Sequence, residues 1–361
     1  MQRILAGTVG RRGLKSYRVR LLVQIGFAAL VLLLGLQFAH FVRRAEQLAP
    51  AYRADLERGL DAEALAARYE LPARPPGVEG FLPISGLMGL VDWIRQGRLN
   101  AVHPAATMLF LLFVAMALLL RKAFCSWVCP VGLLSESLAR LGRRLPGLRG
   151  RNPRLPGAVD IPLRGVKYLL LGFFLWAIFT MSGPALAAFI ASDYNQVADV
   201  KMLWFFTRMG LTAAIVLLAL AAASLVVNGP WCRYLCPYGA LLGLVSWASP
   251  LRIARHAPRC TDCGLCDRVC MARLPISRSA RVLSPECTGC LDCVASCPQT
   301  NALALAGTRR QLSALRFAAL VVLLFLVGYA GSRAAGLWYG AIPDTEYLRR
   351  IPEAAQVDHP R

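Results

Sequence analysis

Cysteines are the residues of this chain best suited to chemistry, and 12 occur among its 361 residues. Two runs repeat the spacing Cys-x2-Cys-x2-Cys-x3-Cys: Cys260, Cys263, Cys266 and Cys270, then Cys287, Cys290, Cys293 and Cys297. With this spacing, three thiolates of one run bind a cubane iron–sulfur cluster, and the fourth binds the other cluster. We therefore predict one [4Fe–4S] cluster on Cys260, Cys263, Cys266 and Cys297, and a second on Cys270, Cys287, Cys290 and Cys293.

Zinc is the alternative for these eight cysteines, since Cys-x2-Cys pairs also bind that metal. A zinc site needs only four ligands, so it has no use for the third cysteine step of each run or for the final Cys297-Pro298. The first run has Met271 where the second has this proline. Because that position shapes the loop and supplies no ligand, we expect little effect on cluster binding.

The other four cysteines form two matching motifs, aromatic-Cys-x3-Cys-Pro-x-Gly, which we name the first hook (124–132) and the second hook (231–239). The thiols are Cys125 and Cys129, then Cys232 and Cys236. Residues four apart share one face of a helix, and the proline that follows suits the first turn of a new helix. We interpret the hooks as an internal repeat whose four thiols hold a third metal centre, most simply another iron–sulfur cluster. A redox dithiol, a copper or haem-associated site and a purely structural motif stay open as alternatives.

Long apolar runs alternate with basic stretches between these motifs. Only 17% of the residues are charged, against about 25% in an ordinary soluble domain, and the runs are long enough to cross a membrane. We predict an all-α polytopic membrane bundle of about five transmembrane helices with a small α+β domain for two [4Fe–4S] clusters. The predicted segments are a basic N-terminus 1–20, span one 21–42, an outer or interfacial segment 43–103, span two 104–124, a loop with the first hook 125–167, span three 168–191, span four 209–228, the second hook 229–250, the cluster domain 251–311, span five 312–336 and a tail 337–361.

Charge orients this bundle. The net charge of +21 falls on segments 1–20, 121–167 and 229–316, whereas 43–103, 192–208 and 333–361 are balanced. Basic loops stay in the cytoplasm, so we expect the N-terminus and all cysteines inside and the C-terminus outside. That reducing compartment disfavours disulfides. The loop arginines are suited to anionic membrane lipid, and no nucleic-acid-binding motif accompanies them.

Two histidines stand at the predicted outer ends of spans, His40 at the end of the first and His103 at the start of the second. A bis-histidine haem or a proton acceptor for quinol is the functional interpretation. The favoured interpretation is the simpler one, in which both are interfacial histidines bonded to water or backbone. The apolar stretch 81–94 nearby is expected to form an interfacial or re-entrant element.

Two Cys-x3-Cys-Pro hooks that follow spans, combined with the double cysteine run, resemble the NapH/NosR/CcoG group of membrane polyferredoxins. The resemblance covers residues 104–300, the shared core of the group, and matches no single member. It implies a ferredoxin-like cluster domain, a bacterial cytoplasmic (inner) membrane and electron transfer with redox partner proteins.

Three functions fit these expectations. The first is electron relay within a respiratory or redox assembly, with quinol or a cytoplasmic carrier as donor and with no substrate chemistry of the protein's own. The second is a membrane copper reductase or assembly factor that uses the hook thiols. The third is an iron–sulfur redox sensor.

Overall fold

The computed structural model describes residues 11–97, 99, 101–145, 153, 155–307 and 312–357. The chain divides into two compact units. The first unit comprises Met1–Ala29, Leu112–Phe173 and Val216–Val327, and the second comprises Leu30–Leu111, Phe174–Ile215 and Gly328–Arg361. All 12 cysteines belong to the first unit.

Helices dominate both units, which confirms the helical part of the predicted fold. In chain order they are α1 Arg11–Glu57, α2 Ala62–Arg68, α3 Pro83–Gln96, α4 Pro104–Leu120, α5 Pro130–Gly142, α6 Gly157–Phe179, α7 Gly183–Ala191, α8 Asp193–Gln196, α9 Ala198–Thr207, α10 Leu211–Val226, α11 Pro237–Val245, α12 Leu265–Val269, α13 Asp292–Ser296, α14 Ala314–Ala334 and α15 Asp344–Arg350. Short 3₁₀ turns lie at Pro76–Phe81, Ser246–Ala248, Ala257–Arg259, Ile276–Arg278 and Ile351–Glu353.

A two-stranded antiparallel sheet frames the cysteine runs in the first unit. Strand β1 (Arg252–Arg255) precedes both runs and strand β2 (Leu303–Ala306) follows them, with Arg252 opposite Ala306. The inward residues Ile253 and Leu305 are almost fully buried. The sheet therefore closes residues 251–307 into one insert between α11 and α14.

The second unit has a core of its own. Aromatic residues of α1 pack on α15, with the Phe41 and Tyr347 rings 5.2 Å apart at their centroids. A smaller cluster joins α3 to the α6–α7 region through Met88, Ile178 and Leu186. Burial of such side chains contributes roughly 1.5–3 kcal/mol each.

Among the described residues, three helices are long and apolar enough to cross a membrane: Ser16–Glu57, Gly157–Phe179 and Ala314–Ala334. The pair α9 and α10, bent by 72°, makes a fourth when it counts as one span. Large apolar side chains on these helices face outward, with Leu169 75%, Trp176 66% and Leu218 70% exposed. Such exposure suits hydrocarbon and not water.

Several boundaries differ from the predicted ones. Helix α1 runs on to Glu57, well beyond residue 42. Helix α6 covers Gly157–Phe179 instead of 168–191, because Ser182 accepts a hydrogen bond from the N–H of Ala185 and caps a separate helix, α7. Helix α4 ends at Leu120 and does not continue to the first hook, since Arg121 takes a left-handed conformation with φ of 59°.

Candidate metal centres

Each hook folds as one π-helical turn followed by an α-helix. In the first hook, the N–H of Cys129 donates to the carbonyl of Phe124 at 2.8 Å; in the second, Cys236 donates to Trp231 at 2.9 Å. Both Cys129 and Cys236 have extended backbone, because the following proline restricts them. The predicted sharing of one α-helical face is therefore replaced by a π turn with its second cysteine at the exit.

The glycine of each hook is explained by the same geometry. A Cβ at Gly132 would overlap the carbonyl oxygen of Cys125, so only glycine lets α5 pack against the π turn. In the second hook, the N–H of Gly239 donates to Sγ of Cys236 at 3.2 Å. The motif thus fixes where its second thiol lies relative to the turn.

The structure brings the two hooks together. Charge on Cys236 raises the pKa of Cys125 and of Cys129. Charge on Cys125 or Cys129 in turn raises the pKa of Cys232, so the thiols of the two hooks are neighbours. The ring of Tyr238 packs edge-on against Phe124, 5.8 Å between centroids. Burial raises the pKa of the Cys125 thiol to about 12 and that of Cys129 to about 11. Buried thiols of this kind must lose protons when they bind metal.

The two cysteine runs have matching backbones. Helices α12 and α13 each begin after a left-handed residue, Gly264 with φ of 64° and Leu291 with φ of 65°. Both end at an extended cysteine, Cys270 or Cys297. The repeat seen in the spacing is thus a repeat of loop, short helix and exit.

Side-chain positions group the cysteines across the runs. Cys260, Cys263, Cys266 and Cys297 line one cavity, beside Pro298. The thiols of Cys270, Cys287 and Cys290 all act electrostatically on Cys293. We name these groups the outer set (Cys260, Cys263, Cys266, Cys297) and the inner set (Cys270, Cys287, Cys290, Cys293). The grouping has the crossed pattern expected from the spacing.

The two sets differ in exposure. Cys263 of the outer set is exposed, and Cys260 and Cys297 are half-buried. In the inner set, Cys270, Cys287 and Cys293 are buried. Burial raises the pKa of Cys270 to about 11 and that of Cys293 well above its usual range. The outer set is thus the solvent-facing one.

The first hook packs directly on the loop of the inner set. Ser126 donates its hydroxyl hydrogen to the carbonyl of Thr288 at 2.7 Å, and Nε1 of Trp127 donates to the carbonyl of Gly289 at 3.1 Å. The Trp127 side chain is completely buried. Thr288 and Gly289 lie between two inner-set cysteines, so the hook and the inner set are joined by two hydrogen bonds.

Buried ion pairs, which sequence analysis missed, hold this assembly. Arg20 pairs with Glu136 at 2.5 Å and with Asp292 of the inner-set loop at 3.1 Å. The ammonium of Lys167 contacts both carboxylate oxygens of Glu286 at 2.6 Å. The signal available in the sequence was the position of these charges at the ends of apolar runs.

Arg233 anchors the second hook. Its Nε and Nη2 donate to the two oxygens of Asp160 at 2.9 and 2.8 Å, and its Nη1 donates to the carbonyl of Ala272 at 2.7 Å. The Tyr234 hydroxyl also donates to Asp160, at 2.7 Å. The bidentate pair fixes the hook to α6, while Ala272 ties it to the loop after Cys270.

Donor spacing bears on the kind of metal. Across the part of the chain that the structure describes, no three Cys, His, Asp or Glu side chains converge closely enough to hold a single metal ion. The donor sets are all cysteine, the ligand type of iron–sulfur clusters; thiolates also bind zinc and copper(I).

The two outer histidines do not share a site. His40 is exposed, whereas His103 is buried with its Nε2 donating to the carbonyl of Asn195 at 2.7 Å. Nδ1 of His103 lies 3.3 Å from the Glu79 carboxylate. Both ring nitrogens of His103 thus face protein groups, which is the simpler of the two interpretations.

Comparisons with known proteins agree with the motifs. A family model described as a 4Fe-4S binding domain matches residues 102–149 and 209–256, the segments that carry the hooks. The chain is 45% identical to the putative electron transport protein YccM of Escherichia coli (strain K12), over 80% of this chain and 82% of YccM. It is 32% identical to the regulatory protein NosR of Pseudomonas aeruginosa, over 59% of this chain and 29% of NosR.

The ferredoxin-type protein NapH of Haemophilus influenzae is a further relative, 29% identical over 51% of this chain and 62% of NapH. No solved structure matches the chain. The predicted resemblance to membrane polyferredoxins is confirmed. The chain belongs to the family of membrane-associated, ferredoxin-type electron transport proteins that carry the 4Fe-4S binding domain.

Proposed function

We propose that this protein is a membrane-bound electron relay with two [4Fe–4S] clusters, one on the outer set and one on the inner set, and a third cluster on the hook thiols. The observation that carries the proposal is the contact of Ser126 and Trp127 with the inner-set loop. It makes the hooks and the inner set parts of one buried assembly.

The chain's own residues supply a graded environment. The outer set meets solvent at Cys263, three of the four inner-set cysteines are buried, and the four hook cysteines are half-buried. When bound, such clusters accept and release one electron at a time at potentials that depend on burial and hydrogen bonding. An exposed outer set next to a buried inner set supports conduction from the cytoplasmic surface toward the membrane.

Five membrane crossings fit the division of the chain. Each boundary between the two units falls inside a helix, after residues 29, 111, 173, 215 and 327. These helices are α1, α4, α6, α10 and α14, of which α4 and α10 are the shorter ones. With basic segments inside, we place the N-terminus and the cysteines in the cytoplasm of a bacterial cell and the C-terminus in the periplasm. The insert of α12, α13, β1 and β2 is then a cytoplasmic ferredoxin-like domain.

The redox partner at the exposed end is a protein with acidic surface. Four exposed arginines lie on the insert: Arg259, Arg268, Arg278 and Arg281. One of them, Arg268, donates to the carbonyl of Cys263 at 2.7 Å. Four carboxylates oppose these arginines in the insert: Glu286 is bound by Lys167, Asp292 by Arg20, exposed Asp262 pairs with Arg255, and Asp267 accepts a hydrogen bond from Ser277. Charge complementarity of this kind steers encounter. Quinol in the membrane is the alternative donor, at the hook end.

Iron and sulfide counting with EPR on anaerobically purified protein tests the proposal. Clusters on the outer and inner sets alone give about eight irons per chain, and a third cluster on the hooks gives about twelve. Substituting Cys125 and Cys232 together by serine should reduce about twelve irons to about eight. Colourless protein that carries zinc would contradict the whole proposal.

A separate experiment identifies the class of electron donor. Anaerobic protein in lipid nanodiscs is mixed with a quinol analogue or with a reduced acidic ferredoxin, and cluster reduction is followed by absorbance. Reduction by ferredoxin that slows with added salt supports the cytoplasmic partner. Salt-independent reduction by quinol alone would move electron entry to the membrane.

A further inference from the structure

Lys122 is a buried cation that lies close to both hooks. It lies two residues before the first hook and is 3% exposed. Its Nζ lies against α11, the helix that starts in the second hook: a Cβ at Gly239 or Gly243 would stand 3.7 or 3.6 Å from it. These distances are ordinary van der Waals contacts, so the ammonium group packs on α11 beside the second hook.

No carboxylate neutralises this ammonium group directly. Among the described residues, Lys122 forms no ion pair within 4 Å, but against the effect of burial its charge lowers the pKa of the Glu286 carboxyl. Glu286 already accepts two hydrogen bonds from Lys167 and one from the Tyr168 hydroxyl at 3.1 Å. One carboxylate is therefore shared between two buried ammonium groups.

A third cation adds to the excess. The Arg121 guanidinium is buried and donates to the carbonyls of Ser246 at 3.1 Å and Ser284 at 2.9 Å. Both acceptors are neutral, so these hydrogen bonds do not compensate the charge of Arg121. Burying a charge without a counter-ion is costly. With three buried cations and one carboxylate, the region around the hooks therefore carries an excess of positive charge when its thiols are protonated.

The hook thiols are the groups placed to supply that charge. Lys122 acts electrostatically on Cys125 of the first hook and on Cys232 of the second. Four thiolates with iron and sulfide carry a net negative charge, and this charge grows when the cluster takes up an electron. A fixed cation beside the thiolates stabilises the reduced form most.

We propose that Lys122 is the counter-ion of a cluster held by Cys125, Cys129, Cys232 and Cys236, and that it raises the reduction potential of that cluster. The inference rests on the proposed third cluster. Lys122 is a positioning and tuning residue and no ligand, so its effect is on potential and not on which cysteines bind.

The test is a redox titration of anaerobically purified full-length protein in nanodiscs, followed by EPR. The hook signal is defined as the one lost in the double variant Cys125→Ser/Cys232→Ser. Lys122→Met keeps the length of the side chain and removes its charge. We expect unchanged iron content and a hook signal at least tenfold harder to reduce, about 59 mV lower for a one-electron couple. Lys122→Arg should restore the potential.

Two further variants make the result specific. Lys201→Met removes the same charge from the second unit, where Lys201 donates to the carbonyl of Val357, and should leave the hook signal unchanged. Glu286→Gln removes the shared carboxylate and should shift the hook signal the other way, to higher potential. If Lys122→Met fails to fold, Lys122→Gln, which removes the charge but keeps a polar head group, decides the question by the same downward shift.

The measurements distinguish a wrong role for Lys122 from the absence of a third cluster. A wild-type chain with about eight irons and no hook signal removes the third cluster, and the role of Lys122 with it. A chain with about twelve irons whose hook potential is the same in wild type as in Lys122→Met or Lys122→Gln overturns the role of Lys122 alone.

Discussion

At the scale of single residues, the cysteines of the insert are paired across the two runs. Cys297 ends the second run but lies with Cys260 and Cys263, and Cys270 ends the first run but lies with Cys287. The reason is that each short helix carries its last cysteine away from its own loop and toward the other one. In the proposed arrangement each cluster takes ligands from both runs, so each would depend on both.

The crossed pairing predicts which variants share a phenotype. Cys270→Ser should alter the same EPR signal as Cys290→Ser, and Cys297→Ser the same signal as Cys263→Ser, each with a loss of up to about four irons. If Cys270→Ser instead grouped with Cys263→Ser, each run would bind its own cluster and the pairing proposed here would be wrong.

A second residue-scale feature is the buried charge cluster of the second unit. The Arg74 guanidinium donates to Glu79 at 2.8 Å and to Asp199 at 2.6 Å, and Glu79 also accepts from the N–H of Ala106. Burial of His103 opposes its protonation, but the facing Glu79 carboxylate outweighs burial. The pKa of His103 is therefore raised above its usual range. Nε2 of His103 carries a proton, because it donates to the carbonyl of Asn195. A second proton, on Nδ1, faces the Glu79 carboxylate and is stabilised by it.

This arrangement predicts a pH dependence of stability. A raised pKa means that the stabilisation from His103 is fully present below its unfolded pKa of about 6.5 and is lost as pH rises through the folded value. The melting temperatures of wild type and His103→Gln in detergent should therefore differ most on the acid side and converge as the pH rises. Burial opposes ionisation of Glu79, but Arg74 and His103 lower its pKa. The melting temperatures should be compared above about pH 5, where this carboxylate stays ionised. A difference that widens with rising pH would contradict the protonated histidine.

At the scale of elements, the hooks show how a local motif can be repeated and still be misjudged. Spacing of i and i+4 predicted an α-helical face, but the proline after each second cysteine forces extended backbone there, and the turn before it widens to π geometry. Helix α5 then packs so closely on the turn that Gly132 meets the carbonyl of Cys125.

Gly132→Ala should therefore destabilise the hook by about 1–3 kcal/mol, the usual effect of overpacking, and lower the occupancy of a hook cluster. The measurement is the thermal midpoint together with iron content. Gly165→Ala is the matched control, since nothing lies within 4 Å of a Cβ there and the helix α6 gains from alanine. Equal behaviour of the two variants would show that the close approach does not matter.

At the scale of the whole molecule, the proposed membrane topology rests on the charge of the segments between apolar helices. Fluorescent protein fused after residue 145 should fold and fluoresce, because the proposal places that loop inside. Alkaline phosphatase fused after residue 357 should be active, because the proposal places the tail outside. Activity in the reverse pattern would place the cysteines on the outer face and refute the proposed topology.

The sequence by itself determined the chemistry of the donors, the helical membrane class, the family and the repeat of both motifs. These are local properties, since spacing, apolar run length and charge balance are written along the chain. What only the tertiary structure decided is which groups meet across long separations: Trp127 with Gly289, Arg20 with Asp292, and Lys122 with α11. It also set the bounds of α1 and α6, where capping by Ser182 and burial in the second unit outweigh the apolar pattern. Such contacts depend on packing between distant segments, and no periodicity within a segment encodes its partner.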